Sequence, residues 1–506
     1  MQPASPGKAA LVGPPLAASL LHVVAGGVTW SLLAAVVPLV AALWSVPRLV
    51  HGLGADRFGF LALVWAILAY AALLDLGLGR GLTKWAAERA GDDRAGEIAS
   101  PAAGTLRTLH AAGLFAGLLV ALGAPWLVPG VLAVPAPLVP EAVASLRLVG
   151  TSLPLLLSTN ALIGLLQARR RFRTVALIQA GAGTASFAGP AIAAGWSSSL
   201  VVVTGVLVVL RAAAWLGYRL ACRDLLPRES PGRRRFPVPR ELFRFGFWVT
   251  VTNVISTVVV YVDRFVLAAL LGLSAVAYYA APYEMVTRLW VVADAFVAVA
   301  FPVLAATLAG DPRQGRAVFV ALTRMVVLTM LVPIGLLLLF ADEILARWLG
   351  GEFAREGSGV LRWLAAGVFV NSAARLPLAA LHAAGLPVVV ARLHLIELPL
   401  YLALLWVLAR LFGIDGAAAA WTLRATADCI ALFLLAARFL PELAGVPGAL
   451  RLVICAPLLL AVLPVLPSLQ NWTRIATASC LVAAAGFLAW RELRAIVAGA
   501  RLQAGG

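Results

Sequence analysis

Charged residues are scarce in this 506-residue chain. Asp, Glu, Lys and Arg make up 12% of it, about half of the roughly 25% found in a typical soluble domain. Apolar types make up 62%. A soluble globular enzyme, a disordered chain and a small disulfide-rich domain each need a different balance of residues. The composition instead predicts an all-α polytopic membrane protein, because each membrane-spanning helix needs about 20 mostly apolar residues.

Lysine and cysteine are nearly absent. Lys8 and Lys84 are the only lysines, although the net charge is +17. Such an excess of basic residues can indicate a nucleic-acid partner, but the sequence has no basic and aromatic soluble domain to bind one. The four cysteines form neither a C-x-x-C pair nor a zinc-ligand spacing. We therefore expect no nucleic-acid partner, no metal and no other cofactor.

Catalytic motifs are also missing. The sequence has no nucleophile elbow, no H-E-x-x-H pair, no glycine-rich phosphate loop with lysine and no acid-rich metal cluster. We therefore assign no catalytic residues and predict a protein that is not an enzyme.

Long apolar runs dominate what remains, and breaks between them predict about 14 transmembrane helices. Their approximate limits are 19–43, 58–78, 104–125, 144–166, 174–194, 198–219, 245–269, 279–302, 317–340, 359–381, 388–409, 414–437, 448–467 and 473–490. With the N-terminus in the cytoplasm, the inner segments hold 26 Lys and Arg and the outer segments hold nine. That bias follows the positive-inside rule and predicts that both termini are cytoplasmic.

The longest polar stretch falls near the middle of the chain and divides it. We predict an N-terminal six-helix lobe over 1–220, a basic cytoplasmic linker over 221–244 and a second six-helix lobe over 245–440. Two extra transmembrane helices and a cytoplasmic tail would follow over 441–506.

A weak internal repeat supports two related lobes. Leu53-Gly54 ends the first span and Leu271-Gly272 ends the seventh, at an offset of 218 residues. Both copies would enter the membrane from the same side, which predicts a parallel repeat of the kind found in transporters with two related halves.

Two stretches of sequence resemble a known family. The first comprises 53–59 (LGADRFG) and 73–79 (LLDLGLG), and the second comprises 261–267 (YVDRFVL) and 278–284 (YYAAPYE). Both are similar to the polysaccharide biosynthesis or O-antigen flippase family. That family belongs to the multidrug/oligosaccharidyl-lipid/polysaccharide exporter superfamily.

The resemblance implies both an architecture and an activity. It implies two six-helix lobes around a central cavity, followed by two C-terminal helices. It further implies a flippase that moves a polyprenyl-diphosphate-linked oligosaccharide from the inner to the outer leaflet of the bacterial cytoplasmic membrane. Transport would occur by alternating access, for cell-surface polysaccharide assembly. The implied partners are this glycan and membrane lipids, with a polysaccharide polymerase and a chain-length regulator as further candidates.

Charges inside the predicted spans are the candidate functional groups. A charge at mid-bilayer costs roughly 2.5–3.5 kcal/mol on insertion scales, so such side chains face a bundle interior or a wet cavity. Glu284 and Arg288 are four residues apart and share a helical face. Arginine suits a diphosphate, because its planar donors bind phosphate oxygens in pairs and it stays charged. A lone histidine in a span usually packs rather than relays protons, so His394 is not a candidate site residue.

We expect the candidate residues to divide into two sets. The substrate-binding set is Arg288, Arg375, Arg424, Arg211, Glu284 and Asn371, and the coupling or gating set is Asp263, Arg264, Asp294, Glu397, Asp428, Asp75 and Lys84. The alternative is that these charges form permanent internal ion pairs that lock helix packing.

Three other functions remain open. A cation-coupled drug or metabolite extruder would share the architecture, but a cavity with more arginine than acid disfavours cationic drugs. A membrane glycan polymerase or ligase is expected to carry a longer external loop than the largest one predicted here, about 340–358. A non-transporting scaffold would tolerate neutralisation of every buried charge.

Overall fold

The computed structural model describes residues 14–75, 78–89, 99–226, 257–310 and 312–441, with the single positions 476 and 479. Every regular element in these ranges is helical. The α-helices are α1 (Pro14–Ala72), α2 (Leu78–Arg89), α3 (Ala99–Gly130), α4 (Val139–Ala168), α5 (Phe172–Ala194), α6 (Leu200–Ala221), α7 (257–271), α8 (Leu273–Thr287), α9 (Trp290–Gly310), α10 (Pro312–Leu339), α11 (Ala341–Leu349), α12 (Gly351–Ala383) and α13 (Pro387–Phe439).

Many of these helices are long enough to span a membrane. Eight segments of the described ranges are long and apolar enough to cross a bilayer. The prediction of an all-α polytopic membrane protein is therefore confirmed. The number 14 stays a prediction, because the last two predicted spans, most of the linker and the start of the seventh span (245–256) lie outside the described residues.

Of the five described glycines with positive φ, four make turns at one end of the molecule. Gly54 (φ 76°, ψ 170°), Gly272 (φ 87°, ψ −178°) and Gly350 (φ 99°, ψ 169°) share a conformation that is essentially restricted to glycine. Gly413 (φ 61°, ψ −138°) breaks α13 into two arms. Gly54 and Gly272 are the two positions that the repeat aligns, so their common backbone supports the parallel repeat. We call this end of the molecule the turn end.

The eighth predicted span, 279–302, is not one helix. Helix α8 ends at Thr287 and α9 begins at Trp290. Across the break, the Leu289 N–H bonds to the Val286 carbonyl and the Val292 N–H bonds to the Leu289 carbonyl. These are i to i−3 bonds, which tighten the chain into a 3₁₀-like turn. Polar residues such as Glu284 and Arg288 within a predicted span do not by themselves distinguish a tightened turn from a continuous helix, so the sequence did not reveal the break.

Two other predicted boundaries were wrong. The second span was predicted over 58–78, but α1 ends at Ala72, so Asp75 lies in a following 3₁₀ turn and Lys84 lies on α2. The predicted external loop 340–358 is helical, formed by α11 and the start of α12. Helix α11 has acidic residues in its first turn and a basic residue in its last, an order that stabilises a helix through its dipole.

The two halves of the described chain, 14–226 and 257–441, meet closely at the turn end. A Cβ atom added to Gly59 of α1 would lie 2.0 Å from the carbonyl oxygen of Leu273 on α8. Nearby, the Trp348 indole N–H donates to the Leu43 carbonyl at 2.9 Å. Glycine is therefore required at position 59 for this approach, because any side chain would push α1 and α8 apart.

Candidate functional site

A cavity of about 630 Å³ lies within the second half of the chain. Helices α7, α9, α12 and α13 surround it, and one part of its wall is apolar. Its polar and aromatic lining residues are Trp290, Asp294, Asn371, Arg375, His382, His394, Glu397, Trp421, Arg424 and Asp428. All of its lining residues come from the second half, and the cavity that the resemblance implies between the two lobes stays a prediction.

Helical spacing explains why these side chains converge. Asn371, Arg375 and His382 are separated by four and seven residues on α12, so they share one face. His394 and Glu397 are three residues apart on the first arm of α13. The Gly413 turn brings the second arm back against the first, which places Arg424 and Asp428 opposite them.

The charges in this cavity are paired across helices. Arg375 of α12 forms an ion pair with Asp294 of α9. Arg424 Nη1 lies 4.0 Å from Glu397 Oε2, which places them at the limit of an ion pair. Three carboxylates and two guanidinium groups line the described cavity, so the excess of arginine expected for a cavity between the lobes stays a prediction for that cavity. The sequence identified the charged residues but not which of them share one space.

Aromatic rings orient the two arginines. The Arg375 guanidinium lies 5.0 Å from the centre of the Trp290 ring, and the Arg424 guanidinium lies 5.8 Å from that of Tyr401. These are cation–π distances. The Nε atom of each arginine has no hydrogen-bond partner in the described structure. Each group therefore retains unused donors among its five N–H bonds.

A separate buried charge cluster comprises Asp263, Arg264, Glu284 and Arg288. Arg264 is 1% exposed and donates to Glu284 at 3.1 Å. Glu284 also accepts a bond from Arg288, so the expected pair of residues one turn apart is formed. Asp263 accepts from the Tyr279 hydroxyl at 2.5 Å and from the Arg264 backbone N–H at 2.7 Å. Adjacent residues on a helix point in different directions, so Asp263 and Arg264 find different partners.

The buried charge cluster does not line the described cavity. The break after α8 separates Glu284 and Arg288 from Asp294, which lies on α9. Arg288 instead reaches the first half, where its guanidinium lies 4.8 Å from the centre of the Phe187 ring on α5. It thus lies where the two halves meet, and its predicted substrate contact stays a prediction.

The remaining predicted residues lie in the first half and away from this cavity. Arg211 is on α6, and its Nε atom is buried without a hydrogen-bond partner among the described residues. Asp75 accepts a bond from Asn160 Nδ2 at 3.1 Å, which joins the turn after α1 to α4. The Lys84 side chain lies outside the described residues.

Several residues of this cavity and of the buried charge cluster were not predicted from the sequence. His394 was expected to pack, although it is three residues before Glu397 and therefore on the same helical face, and it lines the cavity. Trp290, Trp421 and Tyr279 carry no such signal, since an aromatic residue in an apolar span looks like ordinary core. Their roles depend on contacts between distant segments that a single sequence does not display.

A family model described as "Polysaccharide biosynthesis protein" matches residues 24–308. A Shigella flexneri protein named "Putative O-antigen transporter" is 28% identical over 406 residues, which cover 80% of this chain and 95% of that protein.

Solved structures share the fold. An inward-facing multidrug resistance transporter of the MATE family and MOP superfamily matches with a TM-score of 0.67 at 15% identity, covering 81% of this chain and 99% of that one. The lipid II flippase MurJ, in an inward closed conformation, matches with a TM-score of 0.66 at 13% identity, covering 94% and 99%. Because the family model covers more than half of the chain, this protein belongs to the polysaccharide biosynthesis protein family.

Proposed function

We propose that this protein flips a polyprenyl-diphosphate-linked oligosaccharide from the inner to the outer leaflet of the bacterial cytoplasmic membrane. The observation that carries the proposal is the alignment with an O-antigen transporter along 95% of that protein's length. A fold shared with a lipid II flippase supports it. The protein acts as a transporter and not as an enzyme, and a polysaccharide polymerase and a chain-length regulator are its further partners.

Arg375 and Arg424 bind the diphosphate in this proposal. A guanidinium group donates two parallel hydrogen bonds to phosphate oxygens and keeps its charge. Each arginine now contacts one carboxylate, Asp294 or Glu397. The substrate phosphates replace these carboxylates when they bind, and the carboxylates return when the substrate leaves. Asn371, one turn before Arg375 on α12, supplies a neutral hydrogen-bonding group beside them.

The two halves act as the moving lobes, with 1–220 and 245–440 joined by the linker 221–244. The turn end faces outward and is closed, because α1 and α8 meet there at Gly59. Opening this contact while the opposite end closes would give alternating access. Arg288, at the junction of the halves, and Arg211 on α6 extend the path for the diphosphate. In the same proposal the termini are cytoplasmic and residues 441–506 add two helices.

In this proposal the remaining charged residues serve in gating and coupling. Asp263 and Arg264 fix the helix α7 side of the junction through their buried contacts with Tyr279 and Glu284. Asp75 and Lys84 lie near the other end of the first half. Changes in these contacts would accompany the movement of the lobes.

A cation-coupled extruder is the second candidate, because one observation favours it. The cavity is lined by three carboxylates against two arginines, a balance that admits a cationic solute. The likeness to a multidrug transporter shows only that the fold could accommodate such a function.

Reconstitution of the full-length protein separates the two candidates. Proteoliposomes would be loaded with a fluorescent polyprenyl-diphosphate oligosaccharide in one assay and tested with a cationic dye in another. We expect protein-dependent flipping of the lipid-linked glycan and no accumulation of the dye. Dye transport without glycan flipping would overturn the proposal, and lengthening of the glycan would indicate a polymerase instead.

A further inference from the structure

Three side chains at one side of the cavity form a histidine–carboxylate cluster: His394, Glu397 and Asp428. One ligand atom from each lies within 4.8 Å of those of the other two. The closest pair is His394 Nε2 and Asp428 Oδ1, 3.3 Å apart. His394 and Glu397 come from the first arm of α13 and Asp428 from the second, so the Gly413 turn builds the cluster.

The carboxylates of this cluster have few partners for their degree of burial. The Asp428 side chain is 7% exposed, and its Oδ1 atom, directed at His394, has no hydrogen-bond partner among the described residues. Glu397 Oε2 is also buried without one. Arg424 approaches Glu397 only to 4.0 Å. The buried Asp428 and the half-buried Glu397 need nearby positive charge and hydrogen bonds to offset their desolvation. Arg424, and His394 when protonated, supply only part of this.

We propose that the histidine–carboxylate cluster binds one divalent first-row transition-metal ion. Imidazole nitrogen and carboxylate oxygen are the donors that zinc, manganese and their neighbours accept. Metal–ligand bonds of about 2.0–2.2 Å place neighbouring ligand atoms about 3.0–3.4 Å apart. The His394–Asp428 distance of 3.3 Å already fits. Side-chain rotation of Glu397 would complete a three-ligand site.

A bound ion would affect both the solute and the charges in the cavity around the cluster. With three protein ligands, the remaining coordination positions are open to water or to an oxygen of a solute in the cavity. A charge of +2 would cancel the two carboxylate charges. Arg424 would then be released from Glu397 and available to an anion. His382, Arg375 and Asp294 line the same cavity but lie outside the cluster.

Metal binding can be measured on the protein alone. Full-length protein, freed of any polyhistidine tag and treated with a chelator, would be titrated with Co²⁺ and followed by visible absorption, with Zn²⁺ as competitor. We expect one saturable ion per chain. His394→Ala, Glu397→Gln and Asp428→Asn should each weaken binding by about tenfold or more, since even second-shell changes cost roughly 10–100-fold. His382→Ala is the matched control and should bind like wild type.

A second measurement guards against variants that merely unfold. Saturating metal should raise the melting temperature of the wild type and of His382→Ala, but not of Asp428→Asn, because an ion that binds only the folded protein stabilises it. The inference is overturned if the wild type binds no ion saturably, or if His382→Ala loses as much affinity as the cluster variants. A cluster that holds a shared proton instead of a metal ion would give the first of these results, which is no saturable ion binding by the wild type. Because no transport is involved, a protein that binds the ion without flipping glycan overturns only the proposed function.

Discussion

The contact between Gly59 and Leu273 closes the turn end, and Gly59→Ala is the smallest change that disturbs it. The new Cβ would lie 2.0 Å from the Leu273 carbonyl oxygen and 2.8 Å from its carbonyl carbon. Ordinary contact begins at 3.4 Å, so α1 and α8 must separate by about 1.4 Å. Overpacking of this kind costs about 1–3 kcal/mol. A free-energy change of that size alters the equilibrium between the closed and open turn end by roughly 5–150-fold.

Distance measurements between the halves would detect the shift. Spin labels at Val131 and Phe412, both exposed near the turn end, would be placed in a background with all four cysteines replaced. We expect Gly59→Ala to populate longer distances than the wild type. Gly205→Ala is the control, because a Cβ there would meet no atom within 4 Å. An unchanged distance distribution in a well-folded Gly59→Ala sample would refute the assignment of this contact as the closure.

Three further predictions concern charges away from that contact. Glu284→Gln should destabilise the protein by about 3–5 kcal/mol, because it leaves buried Arg264 without its carboxylate; Arg288→Gln should cost clearly less in the same thermal unfolding series. Arg288→Ala should abolish glycan flipping while leaving the protein in the membrane, since Glu284 keeps Arg264 as its partner, and normal flipping would refute the role of Arg288. The hydrogen bond from Arg171 lowers the pKa of Asp224, so this link persists above the usual carboxyl pKa of about 3.9 and is lost as pH falls through the lowered value. Hydrogen exchange across residues 169–171 should report that loss, and Asp224→Asn should remove its pH dependence.

The sequence predicted the helical, polytopic class because long apolar runs with few charges have no other stable arrangement across a bilayer. It also located the turn at Gly54 and its repeat at Gly272, because a glycine interrupts an apolar run at both places. The break at Arg288 was not predicted, because a charged residue within a span does not show whether the backbone tightens into an i to i−3 turn there. The helix Ala341–Leu349 was predicted as a loop, because its acidic first turn resembles a polar loop in sequence.

The candidate site was predictable in part. Insertion cost identified Arg375, Arg424 and Glu397 as residues that must avoid lipid, and they line one cavity. The sequence did not show that Arg375 pairs with Asp294, because those residues are 81 positions apart. Nor did it show how the arginines, counted together along the chain, are divided among separate places in the fold, with two of them in this cavity.

A flipping assay on the two cavity arginines tests the proposed diphosphate site. Arg375→Ala and Arg424→Ala, alone and combined, would be reconstituted with a polyprenyl-diphosphate-linked oligosaccharide. Arg410→Ala is the matched control, because Arg410 is an exposed arginine on the same helix as Arg424. We expect the double variant to lose flipping and the Arg410 variant to retain it. Flipping by the double variant at the wild-type rate would rule out these arginines as the diphosphate site.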